Sequence, residues 1–356
     1  MKTLDEREIQ DLYTGSVFAA CMIDPDWARE QADRLLALFT ETDARPMLCE
    51  PAELDPEGLV VAVGFVSNGL PPAELRPVGD EFVRCLQLIE RELGRPVVGV
   101  MPLAAAGVNA MVPPLVALQA GLPLVDADPM GRVFPLVSQT VFTVAGLPAG
   151  PVAAAGATGE AAVVQVEEPV RVDRVLRALA GVYGGWAATA SYPMTGATLA
   201  AAGVQGSTTR LLRIGGILNA DTSIREKYDA LGRMDGMKLR VRARVSGVAW
   251  TASATQPGQT ARPSSVTLVG EPNGRIVQLE IQDEVLLLMV DGVVRAAVPD
   301  IITILDARDG TPATLEDLWA GNTIDILVMT ADAAWYSPAG MKLAGPTAFA
   351  ALGVQQ

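Results

Sequence analysis

The run "VVGVMPLAAAGVNAMVPPLVALQAGLPLV" at 97–125, followed by "DADPMGR" at 126–132, decides how this chain folds. No charged side chain occurs between 97 and 125, so hydropathy alone would allow a membrane span. Gly99, Pro102, Gly107, Pro113, Pro114, Gly121 and Pro123 argue otherwise. They would break a spanning helix repeatedly and leave backbone groups unpaired in lipid. The run reads instead as a buried strand (97–102), a glycine turn, a helix starting near 110 and a second strand (122–128).

Working outward, "LVVAVGFV" (59–66), "TVFTVAG" (140–146) and "AAVVQVE" (161–167) are further short apolar runs, as strands covered on both faces require. Between them, residues 26–42 place Trp27, Leu35, Leu38 and Phe39 near one helical face, behind a cap at Asp24 or Asp26. Residues 79–94 do the same with Phe82, Leu86, Ile89 and Leu93, and stop at Gly94. This alternation predicts an α/β layered domain with a mainly parallel sheet over residues 1–170. Residues 171–236 are short, glycine-punctuated pieces of helical pattern, expected to pack on the first domain or bridge from it. From 237 to 350 the hydrophobic period becomes two, with a hairpin turn at Asp291-Gly292, which predicts a β-rich domain of barrel or sandwich type. Arg240, Arg242 and Arg244 read as the solvated face of its first strand.

The composition narrows the function classes. A chain of 356 residues, half of them hydrophobic, is long enough for two domains with sizeable cores. A net charge of -14 argues against nucleic acid and against an anionic membrane surface as partners. Cys21, Cys49 and Cys85 are odd in number and widely spaced, so they encode neither a disulfide framework nor a zinc knuckle, and a reducing cytoplasm is the expected location. The charged start has no apolar core of a signal peptide. Apolar composition in both halves leads us to expect a homo-oligomer, most simply a twofold dimer. Phosphate-loop, dinucleotide, zincin and nucleophile-elbow motifs are absent. There is no histidine either, so any catalysis must use carboxylates, Arg, Lys, Tyr, Cys, Ser/Thr or backbone groups.

Asp126, Asp128 and Arg132 arrive together where the strand 122–128 should end, and ligands of open α/β sheets bind beyond the carboxyl ends of the strands. Alternation along an extended segment would place both carboxylates on one face. Such a pair would either share a raised pKa, making a proton carrier, or bind a hard cation, with Arg132 clamping an anionic substrate or neutralising the pair. The plainer alternative is an ion-paired turn that fixes the strand exit. Asn109 has the donor and acceptor to pair with a ring amide, or caps the helix near 110. Tyr192 and Thr195, placed in a turn, either line the cleft or cap the following helix. Cys21 is a nucleophile only if something activates it, and otherwise a buried thiol.

The segments 101–135, "SYPMTGA" (191–197) and "DGVVRAAVPDIITILD" (291–306) together resemble the S-methyl thiohydantoin desulfurase family, in the same order and spacing. The most specific element is D-x-D-x-M-G-R-x-F-P, matched by Asp126, Asp128, Gly131, Arg132, Phe134 and Pro135; Gly107, Asn109 and Tyr192 to Gly196 match supporting motifs. The resemblance implies an N-terminal α/β domain, a β-rich C-terminal domain, and hydrolytic removal of sulfur from the ring carbon of a thiohydantoin-type heterocycle. Asp126, Asp128 and Arg132 are then the expected catalytic residues: an Asp positions or deprotonates water, and Arg132 stabilises the developing anion or holds a carboxylate. Asn109, Tyr192 and Thr195 are the expected contacts to a small heterocyclic ligand. Neither a cofactor nor a metal is specified. The sequence departs from the pattern in the "FAACMIDP" segment, at Pro129, and at Ala104 and Leu136, where relatives carry glutamate. Those two losses favour an alternative, a catalytically reduced member that binds a heterocycle or partners another enzyme.

Overall fold

The computed structural model describes residues 1–20, 25–67, 75–77, 79–234, 236–250, 263–282, 284–314 and 318–352; Cys21 and the Asp24 cap lie outside them. The chain divides into two compact units, one of Met1–Tyr13 with Asp26–Leu212, the other of Thr14–Pro25 with Arg213–Gln356.

The first unit contains, in order, β1 (Lys2–Thr3), the start of α1 (Glu6–Ala20), α2 (Asp26–Thr42), β2 (Met47–Cys49), β3 (Leu59–Ser67), α3 (Glu81–Leu93), β4 (Val97–Pro102), α4 (Gly107–Ala120), β5 (Leu124–Val125) and β6 (Ala127–Asp128). There follow α5 (Val141–Val144), β7 (Val152–Ala155), β8 (Ala161–Val164), α6 (Val172–Val182), β9 (Trp186–Thr195), α7 (Gly196–Ala202), β10 (Val204–Gln205) and the start of α8 (Ser207–Leu218). Eight of the strands form one sheet in the order β1-β2-β5-β4-β3-β9-β7-β8. Its centre, β2-β5-β4-β3, is parallel, and antiparallel strands flank it on both sides. The unit is therefore an α/β layer around a mixed sheet.

Three local expectations are corrected. Residues 140–146 form a helical turn, not a strand: the Thr140 side chain accepts from the Thr143 N–H at 3.0 Å and so caps α5. The expected strand 122–128 is broken at Asp126, and its second half leaves the large sheet to pair with β10. Most consequentially, the stretch read as helical after 171 contains β9, which pairs with β3 and β7 in the middle of the sheet. Ala187, Ala188, Thr189, Ala190 and Ser191 have no exposed surface. The alanines have weak strand preference, but side chains this small let α3 and α6 approach closely. Pro193 is tolerated in β9 because the register shifts there: Val60 faces Met194 while Ala62 faces Ser191, which leaves Tyr192 and Pro193 in a bulge. Tyr192 takes a left-handed φ of 51° at that point.

The second unit holds α9 (Ile224–Gly232), then β11 (Met237–Trp250), β12 (Pro263–Gly270), β13 (Ile276–Ile281), β14 (Val285–Val290), β15 (Val293–Ala297), β16 (Ile301–Asp306) and β17 (Thr323–Met329), then α10 (Pro338–Ala344) and α11 (Pro346–Leu352). Its strands form an antiparallel sheet in the order β15-β14-β13-β12-β11-β17-β16, with the Asp291-Gly292 turn where the sequence places it. Period two is visible in the packing. Ile302, Ile304, Ile324, Ile326 and Val328 enter one core; Ile301, Leu305, Leu327 and Met329 point the other way, to Phe18, Leu218, Tyr228 and Leu231.

The arginine stripe on β11 is more than a solvated face. Arg242 stands opposite Asp325 in register, and its Nη2 lies 2.6 Å from the Oδ2 of that fully buried carboxylate. Arg240 adds a 3.5 Å contact to Asp325 and covers the Tyr228 ring, whereas Arg244 is exposed. Replacing Arg242 leaves a buried charge with only Arg240 to compensate it. Arg242→Met should therefore cost about 2–4 kcal/mol in urea unfolding, and Arg244→Met less than about 0.5.

Candidate functional site at the carboxyl ends of the parallel strands

β3, β4 and β5 all run toward one edge of the sheet, and the crossover from β4 to α4 begins there. Asp128 sits at that edge with no exposed surface. Its carboxyl accepts from three backbone N–H groups: Ala105 at 2.9 Å, Met130 at 3.1 Å and Gly131 at 2.9 Å. Local sequence explains the last two. Pro129 has no N–H, so the first donor after Asp128 is Met130, and a left-handed Gly131 (φ 65°) turns its own N–H back onto both oxygens. Burial pushes the Asp128 carboxyl up to about 7, against the opposing pull of the Gly131, Met130 and Ala105 N–H groups.

Asp126 and Arg132 are also enclosed, at 6% and 4% exposure, but the structure gives them separate partners. One Asp126 oxygen accepts from the Thr209 N–H at 3.1 Å and the other from the Thr209 hydroxyl, so Asp126 satisfies the first turn of α8. Arg132 donates from Nε to the Val133 carbonyl at 3.1 Å and lies 4.3 Å from the centroid of the Phe134 ring. Among the described residues, no hydrogen bond or ion pair joins Arg132 to Asp126 or Asp128, and none of them form a cluster of three or more acidic or cysteine ligands for a metal.

Asn109 lies at the same edge and does not cap its own helix. It binds the backbone of Phe65 on both sides, Oδ1 accepting from the N–H at 2.6 Å and Nδ2 donating to the carbonyl at 3.3 Å. The side-chain amide thus continues the β3 ladder after β4 ends, where Leu103 makes the last backbone bond, to Val63. Gly64 permits this approach, since a Cβ there would fall 2.9 Å from Asn109 Oδ1. Tyr192 is buried further down β9; its hydroxyl donates to the Val137 carbonyl at 2.9 Å and lies 3.3 Å from the Thr143 hydroxyl, which anchors the segment after Arg132. Thr195 caps α7 by accepting from Thr198, and its register partner is Leu59, the first residue of β3. It therefore sits at the opposite end of β3 from Asn109.

Two residues that sequence reasoning passed over complete the edge. Arg177 pairs with Asp173 at 2.7 Å and donates to the carbonyls of Ser67 (3.1 Å) and Pro135 (2.7 Å), while Asp173 accepts from the Val137 N–H at 3.1 Å. Spaced i, i+4 on an amphipathic helix, this pair is indistinguishable in sequence from a surface salt bridge.

Because Asp128 holds its proton more tightly in the folded chain than in the unfolded one, its contribution to stability is full near pH 4. It declines as pH rises to about 7 and is flat above. Urea unfolding of the wild type should lose on the order of 4 kcal/mol across that window relative to Asp128→Asn, which has no proton to lose.

Two family models match the chain in succession, S-Me-THD-like N-terminal domain over residues 7–166 and S-Me-THD-like C-terminal domain over residues 167–355. No curated protein matches it. A protein from Chromobacterium violaceum, solved by X-ray crystallography, has a similar fold over all of this chain and 97% of its own length, with a TM-score of 0.77 and 20% identity. With both domain models matched in order, the chain belongs to the S-Me-THD-like family, the one its D-x-D-x-M-G-R-x-F-P motif resembles.

Proposed function

We propose that this protein hydrolyses a thiohydantoin-type or related hydantoin-like ring, with Asp128 as the group that takes a proton from water. The observation that carries this reading is an enclosed carboxyl at the sheet's carboxyl edge whose pKa is pushed up to about 7, where a general base is most effective near neutral pH. Water deprotonated by Asp128 adds to the sulfur-bearing ring carbon. The carbon–sulfur bond then breaks and the proton held by Asp128 leaves with the sulfur, while the added hydroxyl gives its own proton to the sulfur of a thione or to the ring nitrogen of an S-methyl compound and remains as a ring carbonyl. Arg132 stabilises the negative charge that develops on addition. Asn109, with one N–H and one lone pair left beyond its bonds to Phe65, contacts the ring amide.

A second reading, a member that binds the ring without turning it over, is favoured by two observations. Asp126, Asp128 and Arg132 are almost sealed, and Ala104 and Leu136 stand where the family pattern has glutamate.

Sulfide or thiol release from 2-thiohydantoin and its S-methyl derivative separates the two. Hydrolysis predicts release with kcat/KM rising with pH to a plateau above about 7, and a loss of about 100-fold or more in Asp128→Asn. Saturable calorimetric binding without release supports the second reading, and neither release nor binding removes both.

A further inference from the structure

The Arg132 guanidinium rests on the two residues that follow it in sequence: Nε donates to the Val133 carbonyl at 3.1 Å, and Cζ lies 4.3 Å from the centroid of the Phe134 ring. Where it points therefore depends on the path of that segment. β6 ends at Asp128 and the next element, α5, begins at Val141, so no ladder of its own sets the path between them. α6 supplies it from the side. Arg177 uses all three guanidinium nitrogens: Nε on Asp173 Oδ2 at 2.7 Å, Nη1 on the Ser67 carbonyl at 3.1 Å and Nη2 on the Pro135 carbonyl at 2.7 Å. Asp173 turns its other oxygen to the Val137 N–H at 3.1 Å. A carbonyl and an N–H two residues apart are the groups that one residue of a neighbouring parallel strand would pair with. The charge pair takes the place of such a strand beside Leu136, with its anchors on α6 and at the end of β3.

We infer that Asp173 and Arg177 are positioning residues for Arg132. They hold the 133–137 segment so that the Arg132 guanidinium meets the charge developing on the ring, and the kinetic consequence rests on the hydrolytic reading above. The shape of the Arg177 fork matters more than its charge. Lysine could keep the pair with Asp173, but a single nitrogen cannot present separate donors to the Ser67 and Pro135 carbonyls as a planar fork does.

Two readouts on the full chain test this, one of them independent of turnover. In nitrogen-15 NMR the Arg132 Nε–H, assigned by its absence from Arg132→Lys, should exchange slowly with solvent and be shifted upfield by the Phe134 ring. Arg177→Met should speed that exchange by at least about tenfold and remove the shift, because both carbonyl bonds from a charged donor are lost. Arg177→Lys should have an intermediate effect, and it keeps the test available if Arg177→Met does not fold. Arg174→Met, which removes an exposed arginine from the same helix, should change neither exchange nor shift. In the sulfur-release assay the Arg177 variants should lower kcat and kcat/KM together, by about 10- to 100-fold at unchanged KM, as when a contact made only in the transition state is weakened. An Arg132 Nε–H unaltered in both Arg177 variants, or a wild-type kcat in a variant whose Nε–H has changed, would overturn the assignment. A wild type that releases no sulfur removes the hydrolytic reading alone, and the Arg132 signal then decides the positioning.

Discussion

A carboxyl without exposed surface, held by three backbone N–H groups, organises the functional edge of the first unit. Asp128 joins the β4–α4 crossover, through Ala105, to the turn that follows β6, through Met130 and Gly131. Each of those N–H groups would cost about 1–3 kcal/mol if buried without an acceptor, so the crossover and the turn adopt their paths only with Asp128 between them. The same enclosure that makes the residue structural also lifts its pKa toward neutrality. Scaffold and proton carrier are one side chain, which is why removing it affects both.

Around this node the fold uses side chains to extend what backbone strands begin. Asn109 prolongs the β3 ladder, and Arg177 ties the end of β3 at Ser67 to the loop that follows Arg132. Below them Trp27, Phe65 and Trp186 pack together, Phe65 nearly parallel to Trp186 at 5.3 Å between ring centroids. The end of β3 is thereby held by side chains from α2, α4, α6 and β9. Tyr192 holds the 137–143 segment from beneath through its hydroxyl. Reach along β3 also explains why Thr195 is excluded: it pairs with the first residue of a nine-residue strand whose seventh binds Asn109.

Much of this was legible in the sequence where a single physical rule dominated. The uncharged run at 97–125 resolved into strand, helix and strand because its prolines and glycines forbid one long helix. The antiparallel strands of the second unit were legible because hydrophobic residues largely alternate along them, whereas the helices α10 and α11, inside the stretch expected to be β-rich, were not. β9 was not, because its alanines and serine carry little strand signal, Pro193 argues against a central strand, and the strand is stabilised by neighbours distant in sequence. Asp126 and Asp128 stood out in the sequence, but the partners that hold them apart did not. Thr209 lies far along the chain, and the donors to Asp128 are backbone groups of alanine, methionine and glycine, which no side-chain pattern reveals. Arg242 was misread for a related reason: alternation shows which face a residue occupies, not that an aspartate stands opposite on a strand much later in the sequence.

The chemistry of this edge depends most directly on the protonation of Asp128. Carbon-13 NMR of the side-chain carboxyls, with Asp128 assigned through the spectrum of Asp128→Asn, would follow that titration in the intact protein. A midpoint near 7 is the expected result. A midpoint near the ordinary aspartate value of about 3.9 would contradict it, because the N–H donors would then outweigh burial and leave a permanently ionised, purely structural carboxylate.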